Sequence, residues 1–237
     1  MQSKSFTQQT PSLDDVVAVS PALARYATAT LLDDVWQRPG LSPRDRSIVT
    51  ISVLIARHQT IALPYQIGFA LDNGVKPAEI SEIITHLAFY SGWGNAIAAV
   101  AVIKPVFEDR GITAEQLPTA VVDPLPLNEK AEAARVKSVA ENFGAIAPGV
   151  VQYTTDVLFQ DIWLRPDLAP RDRSLVTVSA LVATGQTAQI TYHLGRAMDN
   201  GLSKPEASEV MTQLAFYAGW PNVFSALPVV KDVLEKR

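Results

Sequence analysis

Five polar side chains recur at helical spacing, and one of them is a histidine. Gln186, Gln189, His193, Arg196 and Asn200 step along the chain by three, four, three and four positions, so they share one face of a helix. Histidine can exchange a proton near neutral pH, and arginine can bind a carboxylate through two parallel hydrogen bonds. The pattern predicts either the polar wall of a pocket or a solvated helix face.

The chain around this face is a tandem repeat with a constant offset of 127 residues. WQRPGLSPRDRSIVT begins at Trp36 and WLRPDLAPRDRSLVT begins at Trp163, and 33 of the 60 residues from 36 to 95 are identical to their partners. The repeat predicts a first module at 1–110 and a second at 129–237. A proline-containing linker over 111–128 would join them.

The two copies differ on the polar face, which makes the repeat an internal comparison. His193 corresponds to Gln66, Arg196 to Phe69 and Gln189 to Ala62. Glutamine cannot exchange a proton near neutral pH, so only the second copy offers acid–base chemistry at this position. We therefore predict that His193, Gln189 and Arg196 are catalytic. The difference is equally compatible with a first copy that has only a structural role.

Tyr192 and His86 are two further candidates for substrate binding. Tyr192 precedes His193, but Tyr65 occupies the same place in the first copy, which favours packing. His86 lies in an apolar segment where the second copy has Gln213. A histidine in such a segment is more often a hydrogen-bonded core residue. The alternative is a second functional site in the first copy.

Arg171 and Trp220 complete the set of substrate-binding candidates. Arg171 belongs to the PRDRS block, which both copies carry unchanged. Ion pairs between helices are the favoured interpretation, and bidentate binding of a substrate carboxylate is the alternative. Trp220 and its counterpart Trp93 stand among aromatic residues that are expected to pack in the core rather than stack on a ligand.

Local signals indicate helices throughout. Ser42 followed by Pro43 predicts a helix start, and Gly74 after Asp72-Asn73 predicts a helix end. Ser203 and Glu206 match a capping box. The segment from 49 to 53 could be a strand by propensity, but the helix cap that precedes it and the length of the surrounding apolar-rich stretch favour a central helix.

Composition excludes several functions. The chain has no cysteine, so it has no disulfide, thiol nucleophile or thiolate metal site. Its three histidines are dispersed, and no metal-binding spacing occurs. The net charge of −4 and the absence of a basic run argue against a nucleic-acid partner. The sequence contains no run of about 20 apolar residues, which is the length that a membrane-spanning helix requires. We expect a cytoplasmic protein without a membrane partner, although a leader removed before the present N-terminus would change that expectation.

Three separated blocks, each present twice, carry a family resemblance. They are the W-x-RP-x-L-x-PRDRS frame, the segments ALDNGV and AMDNGL, and the segments HLAFYSGWGN and QLAFYAGWPN. Together they resemble the carboxymuconolactone decarboxylase family. The resemblance implies an all-α fold built from a tandem duplication of an alkyl hydroperoxidase D-like helical module. The sister branch that reduces disulfides needs a CxxC pair, which this chain lacks.

The resemblance also implies a function. It indicates a decarboxylase or proton-transfer enzyme that acts on a small lactone or keto acid without a metal or organic cofactor. His193 would be the general acid, and Gln189 and Arg196 would hold a lactone carbonyl or a carboxylate. Family members often carry a carboxylate shortly before the histidine, where this chain has Thr187-Ala188-Gln189. The alternative is a non-catalytic ligand-binding or assembly protein.

The resemblance bears on assembly as well. If single-module relatives form hexameric rings, three fused chains would reproduce one ring. The sequence therefore predicts a homotrimer with pseudo-sixfold symmetry.

Overall fold

The computed structural model describes residues 10–237, and every regular element in that range is helical. The first half contains α1 (Leu13–Val19), α2 (Pro21–Arg25), α3 (Pro43–Ala56), α4 (Leu63–Asp72), α5 (Pro77–Ser91) and α6 (Trp93–Asp109). The second half contains α7 (Glu129–Phe143), α8 (Pro148–Tyr153), α9 (Pro170–Ala183), α10 (Thr187–Asp199), α11 (Lys204–Tyr217) and α12 (Trp220–Glu235). This confirms the predicted all-α fold.

Two equivalent helices, α3 and α9, form the centre of the core. All residues of α3 from Asp45 to Ala56 are buried, and so are all residues of α9 from Asp172 to Ala183. Both helices are apolar around most of their circumference, as a helix surrounded by others must be. The two helices pack directly against each other. Their contact joins the two repeats into one core.

The repeats also exchange helices across this core. Helix α5 of the first repeat packs on α9, and α11 of the second repeat packs on α3. Arg44 Nη2 donates to Asp172 Oδ2 at 2.8 Å, and Arg171 Nη2 donates to Asp45 Oδ2 at 2.9 Å. The PRDRS blocks thus form ion pairs between the repeats. As a consequence, residues of one repeat lie beside the polar face of the other.

A buried ion cluster fastens α5 to the second repeat. The Glu82 side chain is 1% exposed and accepts hydrogen bonds from Arg173 Nη2 at 2.9 Å and from Arg165 Nε at 2.9 Å. The guanidinium of Arg173 is fully buried. A charge in this position requires a partner, because removal from water is expensive.

The predicted helix ends are confirmed. Ser42 Oγ accepts from the Asp45 backbone N–H at 3.0 Å, and Ser203 forms a capping box with Glu206. Gly74 has a φ of 88° after the end of α4, in the left-handed region that glycine tolerates. The segment 49–53 lies in α3 and is helical rather than extended.

The prediction that Trp93 and Trp220 belong to the core is wrong. Their exposed fractions are 63% and 50%, and each side chain lies at the first residue of α6 or α12 on the outer surface. The apolar character of these residues does not predict their exposure, because large apolar residues also occur on protein surfaces.

Residues 110–128 separate α6 from α7 and contain a single short 3-10 helix, Ala114–Gln116. This segment lies against the second repeat, where Arg165 donates to the carbonyl oxygens of Thr119 and Ala120. Across residues 10–237, the longest apolar helices fall short of what crossing a bilayer requires.

Candidate active site

Helix α10 carries the polar face identified in the sequence. Its apolar side, with Ile190, Leu194 and Ala197, is fully buried against the core. The opposite side borders a cavity of about 810 Å³ between α10, α7 and the turn around Phe159. The position of α10 is fixed near its C-terminus, where Asn200 Nδ2 donates to Ser174 Oγ of α9 at 3.0 Å. The core thus orients the polar residues toward the cavity.

Aromatic rings from both repeats hold His193. The imidazole is stacked on Trp163 with ring centroids 5.9 Å apart, and it meets Tyr90 edge-on at 5.3 Å and Tyr192 at 5.0 Å. Tyr90 comes from α5 of the first repeat, and its hydroxyl accepts a hydrogen bond from Trp163 Nε1 at 2.8 Å. Aromatic packing from both repeats therefore orients the imidazole.

His193 is neutral at physiological pH. The residue is 7% exposed, and its Nδ1 is buried without a hydrogen-bond partner among residues 10–237. Burial, and to a lesser degree the positive charge of Arg196, lowers the pKa of His193 to about 4. The imidazole can therefore accept a proton when a negative charge enters the cavity.

Arg196 supplies an uncompensated positive charge next to this imidazole. Its guanidinium lies 4.1 Å from the ring centroid of Trp163 and 5.4 Å from that of Phe159. Within the described part of the chain no carboxylate pairs with it. Its Nη1 donates a long hydrogen bond of 3.5 Å to Tyr192 Oη, and its Nε is buried without a partner. Cation–π contacts hold the group in place without neutralising it. An anionic ligand could form the ion pair that the guanidinium lacks.

The equivalent place in the first repeat keeps the aromatic frame but lacks the charged chemistry. Trp36 Nε1 donates to Tyr217 Oη at 3.0 Å, which mirrors the pair of Trp163 and Tyr90. Phe69 replaces Arg196 and meets Trp36 edge-on at 4.9 Å. Gln66 stands in place of His193. The neighbouring cavity measures about 380 Å³.

The structure brings together four of the seven predicted site residues and separates the other three. Gln189, Tyr192, His193 and Arg196 all border the cavity. His86 is fully buried behind Tyr90, with its ring stacked on that of Tyr90 at 4.6 Å and its Nε2 2.7 Å from Thr177 Oγ1.

Arg171 and Trp220 lie away from the cavity. Arg171 is engaged by Asp45, Asp172 and Glu206 in the ion pairs between the repeats. Trp220 borders a separate apolar groove between α11 and α12. Neither side chain lines the cavity that contains His193.

Sequence reasoning did not assign Trp163, Tyr90 and Phe159 to the site. Trp163 was identical to Trp36 and Tyr90 to Tyr217, so identity between copies suggested only packing. The identical tryptophans that open the repeated frame were nevertheless a usable signal. Within residues 10–237, no group of three or more His, Asp or Glu side chains is arranged to hold a metal ion.

The lowered pKa of His193 predicts a loss of stability in acid. An unfolded histidine titrates near 6.5, so the unfolded chain binds more protons than the folded chain between about pH 6.5 and 4. The stabilisation is fully present above about pH 6.5 and is lost as the pH falls toward 4. His193→Gln should reduce this acid-induced loss by up to about 3 kcal/mol.

Urea unfolding at pH 7 and pH 4.5 measures this effect. The exposed His58, replaced in His58→Asn, is the matched control and should behave like the wild type. Equal losses in the wild type and the His193→Gln variant would contradict the burial of a neutral imidazole.

Fold and site together define a class of protein: an all-α tandem repeat whose second half contains a cavity lined by a histidine and an arginine. The model of the carboxymuconolactone decarboxylase family matches residues 21–105 and again residues 148–232. The chain belongs to this family, as the repeated blocks of the sequence suggested.

Curated relatives resemble parts of the chain. The 4-carboxymuconolactone decarboxylase of Acinetobacter baylyi is 38% identical over 84 residues, which are 35% of this chain and 63% of the relative. Nitrosuccinic acid decarboxylase of Metarhizium robertsii is 36% identical over 75 residues, which are 32% of this chain and 52% of the relative. The matches thus span between about half and two thirds of these relatives.

A solved structure shares the fold over nearly the whole chain. It is a Burkholderia xenovorans LB400 protein described as a gamma-carboxymuconolactone decarboxylase subunit. The TM-score is 0.59 at 17% sequence identity, with 95% of this chain and 91% of the other covered. At this identity the likeness concerns the fold alone.

Proposed function

We propose that this protein is a cofactor-independent decarboxylase, or a related proton-transfer enzyme, that acts on a small lactone or keto acid. The observation that supports this function is the pairing of a neutral, buried His193 with an uncompensated Arg196 on one wall of a cavity. Such a pair suits an anionic substrate that must gain a proton during the reaction.

The chemistry requires three contributions from the protein. When the bond to the carboxylate carbon breaks, CO₂ leaves and the electron pair remains on the substrate. A conjugated carbonyl in the substrate takes up this pair as an enolate, and the enolate carbon then gains one proton. The protein must therefore bind the acid, stabilise the developing negative charge and deliver the proton.

Arg196 is the group for binding the acid. Its guanidinium carbon Cζ lies over the Trp163 ring, 4.1 Å from the ring centroid, and its buried Nε has no hydrogen-bond partner among residues 10–237. Gln189 lies two turns before Arg196 on the same face, at the exposed rim of the cavity, where its amide can donate to a second oxygen. A fixed arginine binds a planar carboxylate more specifically than a mobile one, because less side-chain freedom is lost.

His193 is the group for proton delivery. A carboxylate bound beside it favours the charged imidazolium and so raises the pKa of His193 from its value of about 4 in the empty site. Substrate binding would therefore draw a proton onto the imidazole. The imidazolium can then protonate the enolate carbon after CO₂ has left, and it returns to its neutral form.

The relatives support this class of reaction. Both curated proteins are named as decarboxylases of small organic acids. Their names make 4-carboxymuconolactone and nitrosuccinic acid the first compounds to test with this chain.

The test is a direct assay of CO₂ release from these two compounds and from a panel of small lactone and keto acids. We expect release from at least one of them, with the activity lost in Arg196→Met. If the wild type releases no CO₂ but is stabilised thermally by such acids, the protein is a ligand-binding protein. If neither effect occurs, the proposal of an acid site is wrong.

We further propose that the chain assembles as a homotrimer. Two equivalent apolar surfaces are exposed, on α6 at Trp93, Ile97 and Val100 and on α12 at Trp220 and Phe224, with exposed fractions between 46% and 63%. Contiguous exposed apolar surfaces often mark subunit interfaces. Light scattering should give three times the chain mass of 25.7 kDa. The double variant Ile97→Glu and Phe224→Glu should dissociate, whereas a monomeric wild type would contradict the assembly.

A further inference from the structure

Helix α7 borders the candidate active site but lies outside both regions matched by the family model. Those regions end at residue 105 and resume at residue 148, whereas α7 spans Glu129–Phe143. The wall of the cavity opposite α10 includes Ala131, Ala134, Arg135 and Ser138. Helix α7, which is not part of the repeated module, therefore forms one wall of the site.

Arg135 is the charged side chain that α7 contributes to the cavity wall. Its side chain is 8% exposed, and its guanidinium lies 4.2 Å from the ring centroid of Phe159. Glu132 accepts from Nε at 2.8 Å and from Nη2 at 2.6 Å, and Thr155 Oγ1 accepts from Nη2 at 3.1 Å. These contacts fix both the position and the rotation of the guanidinium.

One donor of Arg135 remains unused. Nη1 is buried and has no hydrogen-bond partner among residues 10–237. A buried N–H group without a partner is unfavourable, and an acceptor brought by a ligand would remove that penalty. Because Arg135 borders the cavity, a small molecule inside it can supply this acceptor.

The surroundings of the two arginines of the site differ in net charge. Glu132 neutralises Arg135 through a bidentate pair, whereas Arg196 has no carboxylate partner in the described chain. A second carboxylate placed at Arg135 would be repelled by Glu132, but a neutral carbonyl oxygen would not. Both guanidiniums lie within 5.4 Å of the Phe159 ring centroid, so one small molecule can reach both.

We infer that Arg135 is a specificity-determining residue that binds a neutral carbonyl oxygen of the substrate, while Arg196 binds the carboxylate. This inference rests on the proposed function, because it assumes that the cavity binds an acid. It predicts that acids with a lactone or ketone carbonyl bind more tightly than otherwise similar acids that lack one. During decarboxylation, the same N–H donor would stabilise the enolate oxygen as negative charge develops on it.

The experiment compares three small probes at pH 7 by NMR titration of the whole protein. They are 4-oxopentanoate, which has a carboxylate and a ketone, pentanoate, which lacks the ketone, and glutarate, which has two carboxylates. We expect 4-oxopentanoate to bind about tenfold more tightly than pentanoate, as one hydrogen bond to a charged donor allows. Glutarate should bind more weakly than 4-oxopentanoate.

Three variants test the role of Arg135. Arg135→Met should bind 4-oxopentanoate and pentanoate with equal affinity. Because that variant leaves Glu132 unpaired, the double variant Glu132→Gln with Arg135→Met repeats the test in a neutral background. Lys137→Met, on the exposed face of the same helix with a side chain 75% exposed, is the control and should keep the preference.

The outcomes separate this inference from the proposed function. The inference is overturned if the wild type does not prefer 4-oxopentanoate over pentanoate, or if the double variant keeps the full preference. Unchanged affinities for all three probes in Arg196→Met would instead refute the carboxylate site and, with it, the proposed function. Binding with the expected preference but without CO₂ release from any acid would refute the decarboxylase function and leave the role of Arg135 intact.

Discussion

His193→Gln is expected to lower the rate of CO₂ release by about 10²- to 10⁴-fold, the usual contribution of a general acid or base. Glutamine has no proton to exchange near neutral pH, so the enolate would have to take its proton from water. The fold should survive, because Gln66 occupies the equivalent place in the first repeat beside an equivalent pair of Trp36 and Tyr217.

Steady-state kinetics on the substrate found in the CO₂ assay measures this effect. The loss should appear mainly in kcat, since Arg196 still binds the carboxylate. His58→Asn, on the exposed surface, should retain the wild-type rate. If His193→Gln kept full activity, the imidazole would not carry the proton.

Glu82→Gln is expected to reduce the free energy of unfolding by about 3–5 kcal/mol, because it removes one partner of a buried ion cluster. The substitution keeps the size of the side chain but removes the carboxylate that is in direct contact with the fully buried Arg173 and the nearly buried Arg165. The change should also loosen α5, which delivers Tyr90 to the site. Activity should therefore fall at temperatures where the wild type is stable.

Urea denaturation at pH 7 measures the loss of stability. Glu108→Gln is the control, because that side chain is 61% exposed and its pair with Lys104 lies on the surface. The control should change stability by less than about 1 kcal/mol. A similarly small change in Glu82→Gln would mean that the buried cluster does not hold the repeats together.

The sequence was sufficient to predict the repeated, all-helical architecture and four residues that border the cavity. The repeat gives equivalent positions the same helical scaffold, so a difference in residue type such as His193 against Gln66 indicates a difference in chemistry rather than in fold. Caps at Ser42 and Ser203 are local signals, and local signals do not depend on the rest of the fold.

The remaining features depend on contacts that local patterns do not encode. The exchange of α5 and α11 between the repeats brings Tyr90 next to His193 over a long separation in sequence. Arg135 belongs to a segment on which the comparison between repeats gave no information. The exposure of Trp93 and Trp220 follows from which end of a helix reaches the surface, and composition does not specify that.

The most direct test of the account is an NMR titration of the imidazole of His193, assigned with the His193→Gln variant, with and without a saturating bound keto acid. The free protein should titrate near a pKa of about 4, and the bound acid should raise that pKa toward neutrality. A pKa near 6.5 in the free protein, or no change when the acid is bound, would contradict a buried imidazole that gains its proton together with the substrate.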